Sequence, residues 1–226
     1  LAAVQHETTT GRLNDIPRLV GLCEEYGISL LLDSVSSFGA EAVPFDSPAL
    51  LACAATANKC LHGIPGLCFV VSRPEAIDTA VEPPRNLYLH LPAWVIRQDR
   101  GSTSFAPPVN GLLALDQALV ELKEQGGWRA RHAHYHKLAD RVERALNRYG
   151  VEATLEPGES SCVLRSYRLP QHRTYQDIHD GLKQRGFVIY EGQGSLAAEM
   201  FCISTMGDIT DYDMERLLAA LAAVFG

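Results

Sequence analysis

Ile28-Ser29-Leu30-Leu31-Leu32-Asp33 is a nearly continuous apolar run that closes on a carboxylate. Apolar residues without alternation are expected of a strand buried on both faces, as in a parallel sheet covered by helices. An amphipathic segment precedes the run. Asn14 or Asp15 can cap a helix with Pro17 in its first turn, Ile16, Leu19, Val20, Cys23 and Tyr26 fall on one face, and Gly27 stops it. Residues 1–4 read as a strand end before this helix, and residues 50–55 and 67–71 as two further apolar strands after it. Strands alternating with helices predict an α/β fold built on a parallel sheet.

Farther along, Pro83-Pro84, Pro92 and Pro107-Pro108 break the pattern over residues 76–108, which read as a connecting region with a loop at 99–105. Two helices are predicted at 109–125 and about 128–149, closed by Gly126-Gly127 and Gly150. Strands at 152–155, 162–168, 187–190 and 200–204 and helices at 175–185 and 212–225 then make a small α+β unit. The expected organisation is an α/β domain with its connecting loop over 1–125, and a linking helix with a small C-terminal α+β domain over 126–226.

Composition narrows the function. Lys+Arg number 20 against Asp+Glu 27, for a formal net charge of −7, and no dense Lys/Arg run occurs, which argues against nucleic acid as partner. No apolar stretch reaches the ~18–20 residues needed to cross a bilayer. The six cysteines form no C-x-x-C and no zinc-like pair spacing, and there is no sequon or signal-peptide pattern, so the cytoplasm is the expected compartment. Leu1 is not a methionine and begins an apolar run, as expected of a chain that starts inside a larger domain.

The first candidates for chemistry are Asp33, directly after one strand, and Lys59, a few residues after the next. In a parallel sheet the ligand crevice lies at the carboxyl ends of the strands, so both side chains would arrive at one mouth. There a carboxylate can hold a pyridinium nitrogen and a lysine can form an imine with a carbonyl, the two groups a pyridoxal phosphate enzyme requires. Position alone fits equally an Asp that caps the next turn and a Lys that extends along the surface.

Three stretches in order then decide between these readings: Gln5-His6-Glu7-Thr8-Thr9-Thr10-Gly11, Leu32-Asp33-Ser34-Val35-Ser36-Ser37-Phe38-Gly39, and Ala57-Asn58-Lys59-Cys60-Leu61-His62-Gly63-Ile64-Pro65-Gly66. With Glu124-Gln125-Gly126-Gly127-Trp128-Arg129-Ala130-Arg131-His132 and Gly186-Phe187-Val188-Ile189-Tyr190, they resemble the class V aminotransferases of fold-type I. The likeness covers nearly the whole chain and is greatest to members that move an amino group from an aminoalkylphosphonate to pyruvate. It implies pyridoxal 5'-phosphate as cofactor, held by a large parallel-sheet domain of which residues 1–125 are the remainder. Lys59 stands at the cofactor-bearing lysine, where it would also move the substrate proton. Asp33 stands at the partner of the pyridine nitrogen and Thr8 at the donor to the ring hydroxyl, while Ser34 or Asn58 would support the ring edge. A homodimer is implied, with residues 101–108 reaching the partner's cofactor phosphate; Ala106 replaces a usual threonine there, so Thr103 or Ser104 would substitute.

Two departures accompany the resemblance. Phe201-Cys202-Ile203-Ser204 stands where the family has an arginine that grips the substrate carboxylate, a bidentate contact cysteine does not replace. Arg165 and Arg100 are the candidate substitutes. About the first third of the family's length, including its phosphate-cradling turn, has no counterpart in the sequence, so a fragment of a longer enzyme and a non-catalytic remnant are both expected alternatives. Alanine–glyoxylate or serine–pyruvate exchange is the alternative chemistry.

Other signals lead elsewhere. Gly192-Gln193-Gly194-Ser195-Leu196-Ala197 matches a dinucleotide fingerprint, but an apolar strand follows where a helix is required. His6-Glu7 begins a zinc-protease pattern that Thr10 breaks. His132, His134 and His136 read as a solvated helix face, and no metal is expected.

Overall fold

The computed structural model describes residues 1–77 and 86–226; the Pro83-Pro84 break expected from the sequence lies outside the described residues. The first layer is a four-stranded sheet in the order β1-β4-β5-β6, made of β1 (Ala2–Val4), β4 (Leu30–Asp33), β5 (Leu50–Thr56) and β6 (Cys68–Ser72). β1, β4 and β5 are parallel, with Val4 opposite Asp33 and Asp33 opposite Ala54. β6 runs antiparallel to β5, so the fourth strand departs from the all-parallel expectation. The α/β reading itself holds.

Helix α1 (Ile16–Glu25) covers one face of this sheet. Asp15 is its cap, accepting from the Arg18 N–H at 3.1 Å, with Pro17 in the first turn. Ile16 and Cys23 pack on Leu30, Leu32, Ala49 and Leu50. Tyr26 instead falls at the C-cap and is exposed, and Gly27 takes φ +63° to end the helix. The opposite face is open: Val4, Leu31 and Val70 are exposed, and Leu31 retains 47% of its surface. The continuous apolar run therefore alternates in burial, contrary to the two-sided cover expected for it.

A short hairpin, β2 (His6–Glu7) and β3 (Arg12–Leu13), follows β1. It ties the first sheet to the C-terminal part: Ser161 N–H donates to Gly11 O at 2.9 Å, and Arg12 forks onto Glu159 at 2.9 and 3.0 Å. The C-terminal part holds an antiparallel sheet in the order β7-β9-β8, from β7 (Leu164–Arg168), β8 (Tyr190–Glu191) and β9 (Met200–Ser204). Residues 152–155 form no strand and contribute only a bridge from Ala153 to Tyr167, and only Tyr190 of 187–190 pairs as a strand. Helices α5 (Tyr175–Lys183) and α6 (Asp211–Phe225) begin with reciprocal Thr–Asp capping boxes, Thr174 with Asp177 and Thr210 with Asp213. Their apolar faces, including Ile178, Leu182 and Leu221, pack with Tyr167 and Phe201 in the largest core.

Between the sheets run α2 (Leu91–Asp99), α3 (Val109–Glu124) and α4 (Gly127–Asn147). α2 corrects the reading of 76–108 as an unstructured connection: Pro92 sits in its first turn, where a proline does not break a helix. α4 buries Arg131 and Tyr135 near the loop after β5, and Leu138, Val142 and Leu146 in the C-terminal core.

Gly11 occupies φ +79°, and a Cβ there would lie 2.6 Å from the Leu164 carbonyl oxygen. Gly11→Ala is expected to destabilise the chain by about 1–3 kcal/mol. Gly21→Ala, in α1 with open space around the new methyl, is expected to stabilise it by about 0.5–1 kcal/mol. Urea unfolding of both variants checks the opposite signs.

Candidate active site

The carboxyl ends of β1, β4 and β5 lie side by side and deliver the polar motifs to one mouth. Gln5 N–H donates to Asp33 O at 2.8 Å and Ser34 N–H to Ala54 O at 2.9 Å, extending both pairings past the strands. Asp33 is exposed on the open face of the sheet, where Oδ1 accepts from Val35 N–H at 2.9 Å. Lys59 is half-buried in the turn after β5, fastened by His62 N–H donating to Lys59 O at 3.0 Å. Neither side chain has an ion-pair partner among the described residues.

The remaining candidates divide. Thr8 is half-buried in the turn of the β2–β3 hairpin. That turn is fixed by Glu7, whose carboxylate accepts from Thr9 N–H at 3.0 Å and Thr9 Oγ1 at 2.9 Å; these bonds hold the Glu7 carboxyl below its usual range. Asn58 accepts from Thr56 Oγ1 at 2.7 Å through Oδ1. Ser34 is enclosed, its hydroxyl buried with no hydrogen-bond partner. Thr103 is exposed on the loop between α2 and α3, while Ser104 leans back to the Ala93 carbonyl.

His6, which the sequence offers only as half of a broken zinc pattern, belongs to the same crevice. It is 3% exposed, its Nδ1 lies 3.2 Å from Ser36 O, and its Nε2 is buried without a partner. A carbonyl only accepts, so the neutral ring carries its proton on Nδ1 and leaves Nε2 as a free acceptor. Burial pushes the imidazole below 6.5, and the positive charge of Lys59 acts in the same direction; the Ser36 carbonyl, Glu41 and Glu7 act against it.

Of the three positions expected from the sequence to bear on the substrate acid group, Cys202 and Arg165 offer no free cation. Cys202 is buried in β9 opposite Ser166 and Tyr190, and burial pushes its thiol up to about 11, which keeps it neutral. Arg165 is ion-paired twice, NH1 donating to Glu143 at 2.6 Å and NH2 to Asp140 at 2.8 Å, while its Nε is buried without a hydrogen-bond partner. Arg100 caps the end of α2 and is exposed.

A family model described as aminotransferase class-V matches residues 1–202. The chain belongs to the class V aminotransferases. Two relatives are named 2-aminoethylphosphonate–pyruvate transaminase. The one from Aeromonas hydrophila is 35% identical over 227 residues, covering 99% of this chain and 60% of the relative. The one from Vibrio cholerae O1 strain O395 is 34% identical, covering 98% and 61%. The chain thus spans about three-fifths of the length of these relatives. Among solved structures, an aspartate aminotransferase of subgroup IV from Thermus thermophilus superposes with a TM-score of 0.89 at 27% identity, over all of this chain and 64% of that one. An alanine–glyoxylate aminotransferase from Nostoc sp. gives 0.90 at 22% identity, over 100% and 61%, a likeness of fold.

Class V aminotransferases use pyridoxal phosphate. The residues present fit that group on the chemistry of the crevice. Among the described residues, a carboxylate and an amine without ion-pair partners follow adjacent strands, and a buried imidazole nitrogen close by lacks a donor. Among the described residues, no helix is long and apolar enough to cross a membrane.

A histidine held below its ordinary value binds fewer protons folded than unfolded. His6 therefore makes stability fall as pH drops below about 6.5, and rise with pH in that window. His6→Gln is expected to flatten the slope of unfolding free energy between pH 6.5 and about 5, above the range where carboxylates titrate. Urea titrations across that window check it; an unchanged slope would place the acid sensitivity elsewhere.

Proposed function

We propose that this chain belongs to an enzyme transferring an amino group from 2-aminoethylphosphonate to pyruvate, releasing phosphonoacetaldehyde and alanine. The observation that carries the reading is the juxtaposition of Asp33 and Lys59 at the ends of neighbouring parallel strands, both free of ion-pair partners among the described residues. The phosphonate donor is supported by the names of the relatives at 34–35% identity.

When bound, the cofactor supplies an aldehyde and a pyridinium ring that withdraws electrons from the reacting carbon. Lys59 offers the amine that reacts with a carbonyl, and its nitrogen also takes the proton from the amine-bearing carbon of the donor and returns it to the acceptor-derived carbon. Asp33 would hold a ring nitrogen protonated by ion pairing. Thr8 would donate to a ring hydroxyl, and of the two candidates for the ring edge, Asn58 or Ser34, the enclosed Ser34 is the less accessible. In a homodimer, the exposed loop bearing Thr103 would reach the partner's crevice. A cytoplasmic location accompanies this reading.

A second substrate pair, alanine–glyoxylate or serine–pyruvate, is the alternative. The neutral Cys202 and the doubly ion-paired Arg165 leave neither of those two positions to grip a substrate carboxylate, while Arg168 stands exposed at the end of β7 without an ion-pair partner among the described residues. A donor screen against pyruvate and glyoxylate separates the two, since strong preference for the phosphonate removes the second.

Borohydride reduction in the presence of pyridoxal phosphate, followed by peptide mapping, tests the assignment of Lys59. Label is expected on Lys59, with the visible imine band lost in Lys59→Ala and kept in Lys183→Ala. A normal band in the Lys59 variant would sink the reading. Asp33→Asn is expected to keep the label while lowering turnover at least about 100-fold.

A further inference from the structure

Glu41, His132 and Cys162 come from three separate segments: the turn after β4, the second turn of α4, and the approach to β7. One donor atom of each lies within 4.8 Å of the other two. We propose that these three side chains form a binding site for a thiophilic divalent cation of the zinc(II) type, a role that the aminotransferase reading does not use.

Four observations carry this. First, the donor set is a thiol, an imidazole and a carboxylate, which suits zinc and not the all-oxygen shells of magnesium or calcium. Second, His132 Nδ1 lies 3.2 Å from Glu41 Oε2. Bonds of about 2.0 Å from a tetrahedral zinc put two such ligands about 3.3 Å apart, so this edge already has the required length. Third, the carboxylate is oriented by an outer shell: its Oε1 accepts from Ser161 Oγ and from Cys162 N–H, both at 2.9 Å, leaving Oε2 turned to His132. Fourth, the site is closed on one side and open on the other. The Glu41 side chain is 4% exposed, while that of His132 is 39% exposed, giving an ion a way in and a water the fourth position.

Proton balance is simple. The Cys162 S–H bond breaks, its proton passes to solvent, and the sulfur bonds the metal. The His132 ring moves its N–H from Nδ1 to Nε2, with no net change. Two costs oppose binding: the contacts of His132 Nδ1 (2.9 Å) and Cys162 Sγ (3.8 Å) with the Ala40 carbonyl are given up, and burial beside Glu41 pushes the Cys162 thiol up, which the bound cation has to offset.

Cobalt(II) is the probe, added to the chain after stripping with chelator, with native mass spectrometry of zinc-loaded chain as the second readout. One metal per chain is expected, with the d–d bands of tetrahedral cobalt and a sulfur-to-cobalt charge-transfer band. Cys162→Ser, nearly isosteric, should abolish the charge-transfer band and weaken binding at least about 100-fold. His132→Ala should also weaken it, with circular dichroism confirming that both variants fold. Cys68→Ser, at the exposed cysteine, and His136→Ala should change neither readout. Absence of cobalt binding overturns the proposal, as does a charge-transfer band that survives in Cys162→Ser. Loss of binding in His136→Ala overturns it too, by assigning the ion to a pair of surface histidines on α4.

Discussion

The carboxylate of Glu41 is the contact on which the arrangement of the chain depends. It is 5% exposed and lies at the end of the turn that follows β4. From there it draws in the Ser161 hydroxyl, the Cys162 amide and the His132 ring, so one buried anion fixes the approach to β7 and the start of α4 against the first sheet. Removing one partner from a buried charge typically costs about 3–5 kcal/mol, far more than a surface pair would. The hairpin reinforces the same junction from the other side, through Gly11, Arg12 and the Thr10 carbonyl, which accepts from Ser166 Oγ at 2.5 Å.

The crevice inherits its order from that junction. Lys59 sits in a turn whose neighbours are held from α4: Arg131 donates to the Cys60 carbonyl at 2.6 Å, and the Tyr135 hydroxyl meets His62. His62 adopts φ +68°, the left-handed region that is uncommon for a non-glycine residue. The same tyrosine hydroxyl accepts from Gly207 N–H, in the segment after β9. A short chain of contacts therefore runs from the proposed reactive lysine to the strand carrying Cys202.

The parts legible in the sequence were those governed by local chemistry. Asp33 and Lys59 could be placed because they directly follow or closely trail apolar runs, and α1 because its cap, first-turn proline and apolar stripe agree. What escaped depended on neighbours distant along the chain. Leu31 sits in an unbroken apolar run, but only α1 covers that strand among the described residues, so burial alternates where the sequence does not. The direction of β6 is invisible to composition, since a run of Cys, Phe and Val fits either orientation. Residues 152–155 have strand-like content yet form a single bridge, from Ala153 to Tyr167 on the outer edge of β7. Nothing in Gly39-Ala40-Glu41-Ala42 marks Glu41, whose partners lie 91 to 121 positions onward at His132, Ser161 and Cys162.

Helix α4 belongs to both halves of the molecule. Its 21 residues form one uninterrupted rod of roughly 31 Å, gripped near one end by the turn around Lys59 and near the other by the C-terminal core. Such a rod transmits rotation as a mechanical lever. A tilt of about 3° at Arg131 becomes a displacement of about 1 Å at Leu146, some 22 Å away. A ligand that tilted the helix about its Arg131 end would therefore displace the Leu146 end, packed in the C-terminal core, farther than it moved the turn after β5.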